Sequence, residues 1–335
     1  MEPSEPRIEI FAPFGEAFET TTKILFRPFD LAKWFVIGFA AWLATMFGGL
    51  NFNFRSYNKD NWNWKAQAKD LPFSFDEAPP WLIPVIIGGA IVVLAVVLLL
   101  LWLNSRGRFM FTDCIVRNRG AIAEPWREYR PEGNRYFLLQ LIISVCSMLI
   151  GGGFALLFLL RWHWKTLIVP LPILILLGVT FVLVALVVAL IMKFTVPVMY
   201  RRRCAATEAF GAVWRLIVAQ PGIFILFGLF YILLYIAAAM IGCLAACVTC
   251  CLAALPYIGT VILLPLVMFL YTYPLCFIRQ FGDPYDVWAV VRPAELPPAA
   301  ESLAPPVQAP PPPAAPPDAP PVPPIQEPPA PPLAP

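Results

Sequence analysis

The stretch that decides the fold is LIVAQPGIFILFGLFYILLYIAAAMIGCLAACVTCCLAALPYIGTVILLPLVMFLYTYPLCFI, residues 216–278, which contains no charged side chain. A helix needs roughly 20 apolar residues to span a bilayer, and this run has 63 residues. Four further charge-free runs precede it, at residues 34–54, 78–105, 136–160 and 166–192. All 21 acidic residues of the chain lie outside the five runs. No soluble domain buries so much uninterrupted apolar sequence, so the sequence predicts a polytopic integral membrane protein.

The predicted fold class is all-α, a polytopic transmembrane helical bundle of about six spans with interfacial amphipathic helices and a disordered Pro-rich tail. The longest run divides at residues 246–257, where Pro256 marks a turn, because three spans of about 21 residues would leave nothing for loops. The predicted spans lie at about 33–50, 83–103, 136–160, 168–192, 222–245 and 258–278. Together they form one membrane domain, residues 1–292.

The distribution of basic residues predicts the orientation of the spans. Six spans place both termini on one side of the membrane, and that side carries 18 of the 24 Lys and Arg residues. The other side carries six, four of them in the predicted external loop 51–82. Basic residues accumulate on the cytoplasmic side of membrane proteins, so the protein is predicted to lie in the cell (inner) membrane with both termini cytoplasmic.

Charged, half-apolar segments precede each predicted pair of spans, at residues 14–29, 109–130 and 201–220. In the first of them, Pro28 is expected to end a helix and Asp30 to start the next one. The tripeptide Glu16-Ala17-Phe18 recurs at residues 208–210, which leaves two explanations open. An ancestral triplication would produce the echo, and so would the general need for amphipathic helices at the membrane surface.

The composition changes completely in residues 293–335, which contain 20 prolines in 43 positions and neither Lys nor Arg. Proline at this density cannot donate the hydrogen bonds of helices or sheets, so the sequence predicts a disordered, cytoplasmic tail. Its PxxP spacings could bind a protein partner, although a spacer with no partner has the same composition.

Residues suited to catalysis or to metal binding are sparse. Cys243, Cys247, Cys250 and Cys251 share a helical face, but they lack the nearby carboxylates or cations of a metal or redox site, and small-residue packing explains them more simply. His163 is the single histidine and cannot build a metal site or a catalytic triad alone. No phosphate-binding, dinucleotide-binding or hydrolase motif is present. The sequence therefore predicts no enzyme, no cofactor, no metal and no nucleic-acid partner.

Arginines cluster where the predicted spans end on the cytoplasmic side. Each basic residue near an anionic membrane surface gains on the order of 1 kcal/mol, so these arginines are the candidate lipid-headgroup site. The alternative is that they serve only to fix the topology. The candidate residues are Arg106, Arg108, Arg117, Arg119, Arg201, Arg202 and Arg203.

The predicted role is that of a non-enzymatic, membrane-organising protein or a protein that binds lipids or a partner. Its expected partners are the lipid bilayer, anionic lipids in particular, and a protein at the Pro-rich tail. The alternative is a small-molecule or lipid transporter or permease component. Transport is less favoured because the spans lack charged residues at membrane depth, with Lys193 coming closest, near the end of the fourth span.

Several motifs resemble those of a family of uncharacterised bacterial six-span membrane proteins. The residues that carry the resemblance are LFRPFDL at 25–31, RGRFMF at 106–111, Asn118-Arg119-Gly120 and VPVMY at 196–200. The chain also resembles, more distantly, the membrane domain of some glycerophosphodiester phosphodiesterases. It has no room for their catalytic barrel, so the resemblance implies the membrane fold and carries no enzymatic activity.

Overall fold

A computed structural model of the chain describes residues 8–47, 81–163, 171–249 and 255–291. Within these residues the chain is helical and contains no β-strand, which confirms the predicted all-α class. The Pro-rich tail and residues 51–80 of the predicted external loop lie outside the described residues.

The described residues form ten α-helices, followed by two short 3-10 helices, Asp283–Tyr285 and Val287–Val290. The α-helices are α1 (Ala12–Phe26), α2 (Leu31–Thr45), α3 (Leu82–Val116), α4 (Ala123–Glu128), α5 (Arg130–His163), α6 (Leu171–Arg202), α7 (Ala206–Ala219), α8 (Pro221–Val248), α9 (Pro256–Ile262) and α10 (Leu264–Arg279).

The boundary between α1 and α2 follows the local sequence as predicted. Pro28 lies between the two helices. The Asp30 carboxylate then accepts hydrogen bonds from the backbone N–H groups of Ala32 (2.9 Å) and Lys33 (3.3 Å). Such a cap satisfies donors that the first turn of a helix leaves free, and it fixes the start of α2.

Four helices, α3, α5, α6 and α8, are long enough and apolar enough to cross a membrane. In the most apolar 18 residues of each, the buried share is 0% for α3 and α5, 6% for α6 and 17% for α8. We call the charge-free parts of these helices (residues 82–105, 136–160, 171–192 and 221–248) the apolar arms. They coincide with the second to fifth predicted spans, and their outward apolar surfaces are those of a membrane protein.

The buried core lies at one end of the arms. It is built from residues 104–116 of α3, residues 191–200 of α6 and most of α10, together with the inner faces of α1 and α2. Aromatic rings fill its centre, where Phe227 and Phe277 stack with ring centroids 4.2 Å apart. The sequence predicted a charged, half-apolar segment at residues 109–130, before the second pair of spans, whereas the structure continues α3 through Val116 and buries its last three turns.

The first predicted span, 33–50, overlaps the 15-residue helix α2, which begins two residues earlier, and residues 48–50 lie outside the described residues. Helix α2 runs antiparallel to the core half of α3, since Lys33 Nζ donates to Asn118 Oδ1 (2.8 Å). At its other end, Asn104 Nδ2 donates to the carbonyls of Leu43 (2.7 Å) and Ala44 (3.0 Å). These carbonyls belong to the last turn and have no partner within the helix, so Asn104 completes the end of α2.

The sixth predicted span, 258–278, is two helices joined at Leu263. Helix α9 has seven residues and α10 has 16, so each is shorter than a membrane span. Pro265 in the first turn of α10 has no N–H to donate back to the preceding helix, which explains the break. Most of α10 is buried in the core.

Two amphipathic helices lie beside the core. Helix α1 buries Ala17, Ile24 and Leu25, packs along α10 and leaves Phe18 63% exposed. Helix α7 likewise leaves Trp214 and Val218 exposed. Exposed aromatic side chains next to charged ones are typical of helices at a membrane interface.

Candidate functional site

The charged residues of the core end gather around Asp113 on α3, whose side chain is fully buried. Arg117 Nε lies 3.1 Å from Asp113 Oδ1, and Arg119 Nη2 lies 3.1 Å from Oδ2. Tyr200 of α6 donates its hydroxyl to Oδ1 at 2.9 Å. Asn118 adopts a left-handed φ of 50°, which ends α3 and places Arg119 next to the carboxylate. One carboxylate thus holds the end of α3 to α6.

Three glutamates from α4 and α5 complete this group, which we call the Asp113 cluster (Asp113, Arg117, Arg119, Glu124, Glu128, Glu132, Arg203). Arg119 pairs with Glu124 (2.6 Å) and Arg117 with Glu128 (3.0 Å). Arg203 pairs with Glu128 and with Glu132. Four carboxylates face three guanidinium groups, so the cluster carries no excess of positive charge.

The electrostatics of the cluster keep its arginines charged. Burial alone lowers the pKa of Arg117, but the carboxylates of Asp113 and Glu128 more than offset it, and the pKa lies above the ordinary arginine value. Partial burial also lowers the pKa of Arg119, but Glu124 and Asp113 outweigh it and raise that pKa as well. Both guanidinium groups therefore remain positively charged at physiological pH.

Arg106 is held apart from the Asp113 cluster. Its side chain is only 6% exposed and lies between two tryptophan rings, with Cζ 4.3 Å from the centroid of Trp102 and 4.7 Å from that of Trp126. Its Nη2 donates to Asn134 Oδ1 at 3.0 Å. The guanidinium group thus joins α3, α4 and α5 through cation–π contacts.

The remaining arginines of the predicted headgroup site lie elsewhere. Arg201 pairs with the exposed Asp283 at 2.9 Å, and Arg202 is exposed at the end of α6. Arg108 points into the core instead. The structure thus distributes the seven predicted arginines over five environments, and it joins Arg117, Arg119 and Arg203 into one cluster.

A second polar group lies deeper in the core, and we call it the Arg108–Lys193 pair. Arg108 Nε donates to Asn104 Oδ1 and its Nη1 donates to the Tyr136 hydroxyl, both at 3.3 Å. Lys193 Nζ lies 3.6 Å from the ring centroid of Tyr231. Tyr136 in turn donates its hydroxyl to the backbone carbonyl of Met192 (3.4 Å), the residue before Lys193. Two cations and two tyrosines therefore lie together at the base of the arms.

Sequence reasoning did not place Lys193 in the candidate site. One signal was present, since Lys193 is the only charged residue between Lys165 and Arg201. It lies about two and a half turns before the end of α6, too far inside the helix for a terminal charge. Its proximity to Arg108 depends on the packing of α3 against α6, which the sequence does not reveal.

The cysteines and the histidine of the sequence analysis show no site in the described residues. Cys243 and Cys247 are free and exposed on α8, while Cys250 and Cys251 lie outside the described residues. His163 is the last residue of α5. Across the described ranges, no three His, Cys, Asp or Glu side chains are grouped so that they could hold a metal ion.

A family profile with the description "family of unknown function (DUF7544)" matches residues 9–290, nearly the whole helical part of the chain. The chain belongs to DUF7544. This match supports the predicted membership of an uncharacterised family, and it covers the arms, the Asp113 cluster and the Arg108–Lys193 pair. The more distant resemblance to glycerophosphodiester phosphodiesterases has no support in these comparisons. No curated protein and no solved structure matches the chain.

Proposed function

We propose that this DUF7544 protein is a non-enzymatic protein of the inner membrane that binds lipids and organises the bilayer around it. The observation that carries the proposal is the outward direction of the apolar arms. Leu183 on α6 is 58% exposed and Leu229 on α8 is 64% exposed, and neither finds cover within the described chain. Large aliphatic side chains give lipid chains a contact surface, whereas close helix–helix contact in membranes favours small residues.

The lipid contact of the arms is measurable by electron paramagnetic resonance of spin-labelled phosphatidylcholine in bilayers that contain the protein. Each arm exposes most of its circumference, so we expect more motionally restricted lipids per chain than a closed four-helix membrane bundle shows in the same bilayer. A lipid count equal to that of the closed bundle would contradict the proposal. It would mean that the arms are covered by protein.

Transport of a small molecule or a lipid is the second candidate, and one observation favours it. The Arg108–Lys193 pair places two charged side chains directly at the ends of two apolar arms, and ionisable residues that adjoin membrane spans can take part in transport. A transporter would move its substrate across a sealed proteoliposome membrane, whereas a lipid-binding organiser would retain lipid without any flux. Flux of a fluorescent lipid between leaflets, measured in the same preparation, separates the two roles.

The proposed orientation has both termini in the cytoplasm, on the side that holds 18 of the 24 basic residues. A reporter fused after Ala289 is therefore expected to read cytoplasmic, and one inserted in residues 51–80 is expected to read external. Labelling of single introduced cysteines with a membrane-impermeant reagent checks both positions. Labelling from outside at Glu295 would reverse the proposed topology.

In this orientation the Pro-rich tail would extend into the cytoplasm, and we propose it as a contact for a protein partner. Deletion of residues 293–335 should then remove any cytoplasmic protein that copurifies with the chain and leave the lipid count unchanged.

A further inference from the structure

We propose that the Arg108–Lys193 pair is a binding site for a phosphate group at the base of the apolar arms. The site consists of Arg108 on α3 and Lys193 on α6, with Tyr136 and Tyr231 beside them. It rests on the lipid binding proposed above only for the source of the phosphate, since a lipid headgroup and a free phosphate ester present the same anionic oxygens.

The charge balance at the pair is the first argument. Among the described residues, no carboxylate lies within 4.0 Å of either cation, and every ion pair found there involves other residues. Charges removed from water are costly unless they are paired, and two cations held together add their mutual repulsion. An anion between them would supply the missing countercharge.

The Asp113 cluster provides a comparison within the same molecule. Arg117, Arg119 and Arg203 each have at least one carboxylate within 4.0 Å. The fold therefore supplies acidic partners for the arginines at the outer end of the core. Among the described residues it supplies no carboxylate for Arg108 or Lys193. Arg106 also lacks a carboxylate partner there, but two tryptophan rings cover its guanidinium group. This contrast points to a ligand as the partner of the deeper pair.

The unused donors are the second argument. Arg108 donates through Nε and Nη1, and no hydrogen bond within the described residues uses its Nη2. Lys193 Nζ contacts the Tyr231 ring but donates no hydrogen bond within the same residues. Neither Arg108 nor Lys193 is a fully buried residue. A guanidinium group together with an ammonium group is a donor set that suits phosphate oxygens.

The position of the pair suits a headgroup at the membrane surface. Asn104, which orients Arg108, is the last residue but one in the charge-free arm of α3. Lys193 directly follows the charge-free arm of α6. A phospholipid with its acyl chains along these arms would bring its phosphate to the level of the two cations.

The test uses the full-length protein in detergent with two probes, phosphatidylglycerol in native mass spectrometry and inorganic phosphate in thermal unfolding. We expect Arg108→Gln and Lys193→Gln each to weaken phosphatidylglycerol binding by about 10-fold or more, the loss expected for one charge-assisted hydrogen bond. Arg127→Gln, on α4, removes an exposed charge from the same end of the molecule and is the matched control. It should change the affinity by less than about 3-fold, because exposed charges contribute little.

The outcomes also distinguish the source of the phosphate. A loss of phosphatidylglycerol binding in both Gln variants, with no stabilisation of the wild type by inorganic phosphate, supports a lipid site. Stabilisation of the wild type by phosphate that both variants lose supports a site for free phosphate groups. The proposal is overturned if the wild type and both variants bind phosphatidylglycerol with equal affinity and are equally stabilised by phosphate. The number of motionally restricted phosphatidylcholine molecules is a separate test of lipid binding by the arms.

If the Gln variants fail to fold, two further measurements still test the proposal. Arg108→Lys and Lys193→Arg keep both charges and are expected to retain phosphatidylglycerol binding. The wild type alone can also contradict the proposal. If it binds phosphatidylglycerol no better than zwitterionic phosphatidylcholine and gains no stability from phosphate, the pair does not bind phosphate.

Discussion

Replacement of Asp113 by asparagine is expected to destabilise the protein by about 3–5 kcal/mol, the usual cost of removing one partner from a buried ion pair. The Asp113 carboxylate is fully buried and pairs with Arg117 and Arg119 while it accepts the hydroxyl of Tyr200. Asparagine keeps the shape but leaves the two guanidinium groups with less countercharge. Reversible unfolding in mixed detergent micelles measures the change in the free energy of unfolding.

The matched control for this variant is Asp283→Asn. Asp283 also pairs with an arginine, Arg201, at 2.9 Å, but its side chain is 69% exposed. Exposed ion pairs contribute about 0–1 kcal/mol, so the control should remain close to the wild type. Equal stability of the two variants would show that Asp113 does not hold α3 to α6.

Replacement of Gly107 by alanine is expected to separate α2 from α3 and to destabilise the protein by about 1–3 kcal/mol, the range for overpacked sites. A Cβ atom at residue 107 would lie 2.5 Å from Leu43 Cβ and 2.8 Å from the backbone carbon of Leu43. The backbone cannot move aside as a flexible side chain would, so the two helices must shift. Thermal unfolding in detergent measures the loss.

Gly152→Ala is the control for Gly107→Ala, since a Cβ atom there meets nothing within 4 Å. Alanine favours a helix over glycine by up to about 1 kcal/mol, so this variant should be as stable as the wild type or slightly more stable. A Gly107→Ala protein with unchanged stability would mean that α2 does not pack against Gly107.

The sequence was sufficient for the features that depend on continuous stretches of one kind of residue. The charge-free runs predicted six spans, and four of these are membrane-length helices within the described residues. Such runs indicate these helices because a charged side chain is costly inside a bilayer. The start of α2 at Asp30 was also predictable, because a cap uses residues that are adjacent in sequence.

The candidate site was harder to predict, because its residues come from distant parts of the chain. The charged, half-apolar composition of residues 109–130 is that of a segment at the membrane surface. Only the pairing of Asp113 with Arg117 and Arg119 explains how these charges lie within a core. The stacking of Arg106 between Trp102 and Trp126 likewise depends on how α4 packs. The predicted lipid-headgroup site therefore grouped seven arginines by their position near span ends, although the fold gives them different partners.

The contacts of α1 have a consequence for how the protein is made. Tyr273 donates its hydroxyl to the carbonyl of Ile10, and Arg279 pairs with Glu16, so both contacts join residues 263 positions apart. The ribosome synthesises the amino terminus first. Tyr273 and Arg279 emerge from the ribosome only after nearly all of the helical part has been translated. For most of synthesis, α1 is therefore present without the α10 residues that it contacts in the folded protein. The exposed phenylalanines of α1 allow it to bind among the lipid headgroups until α10 has been synthesised and can pack against it.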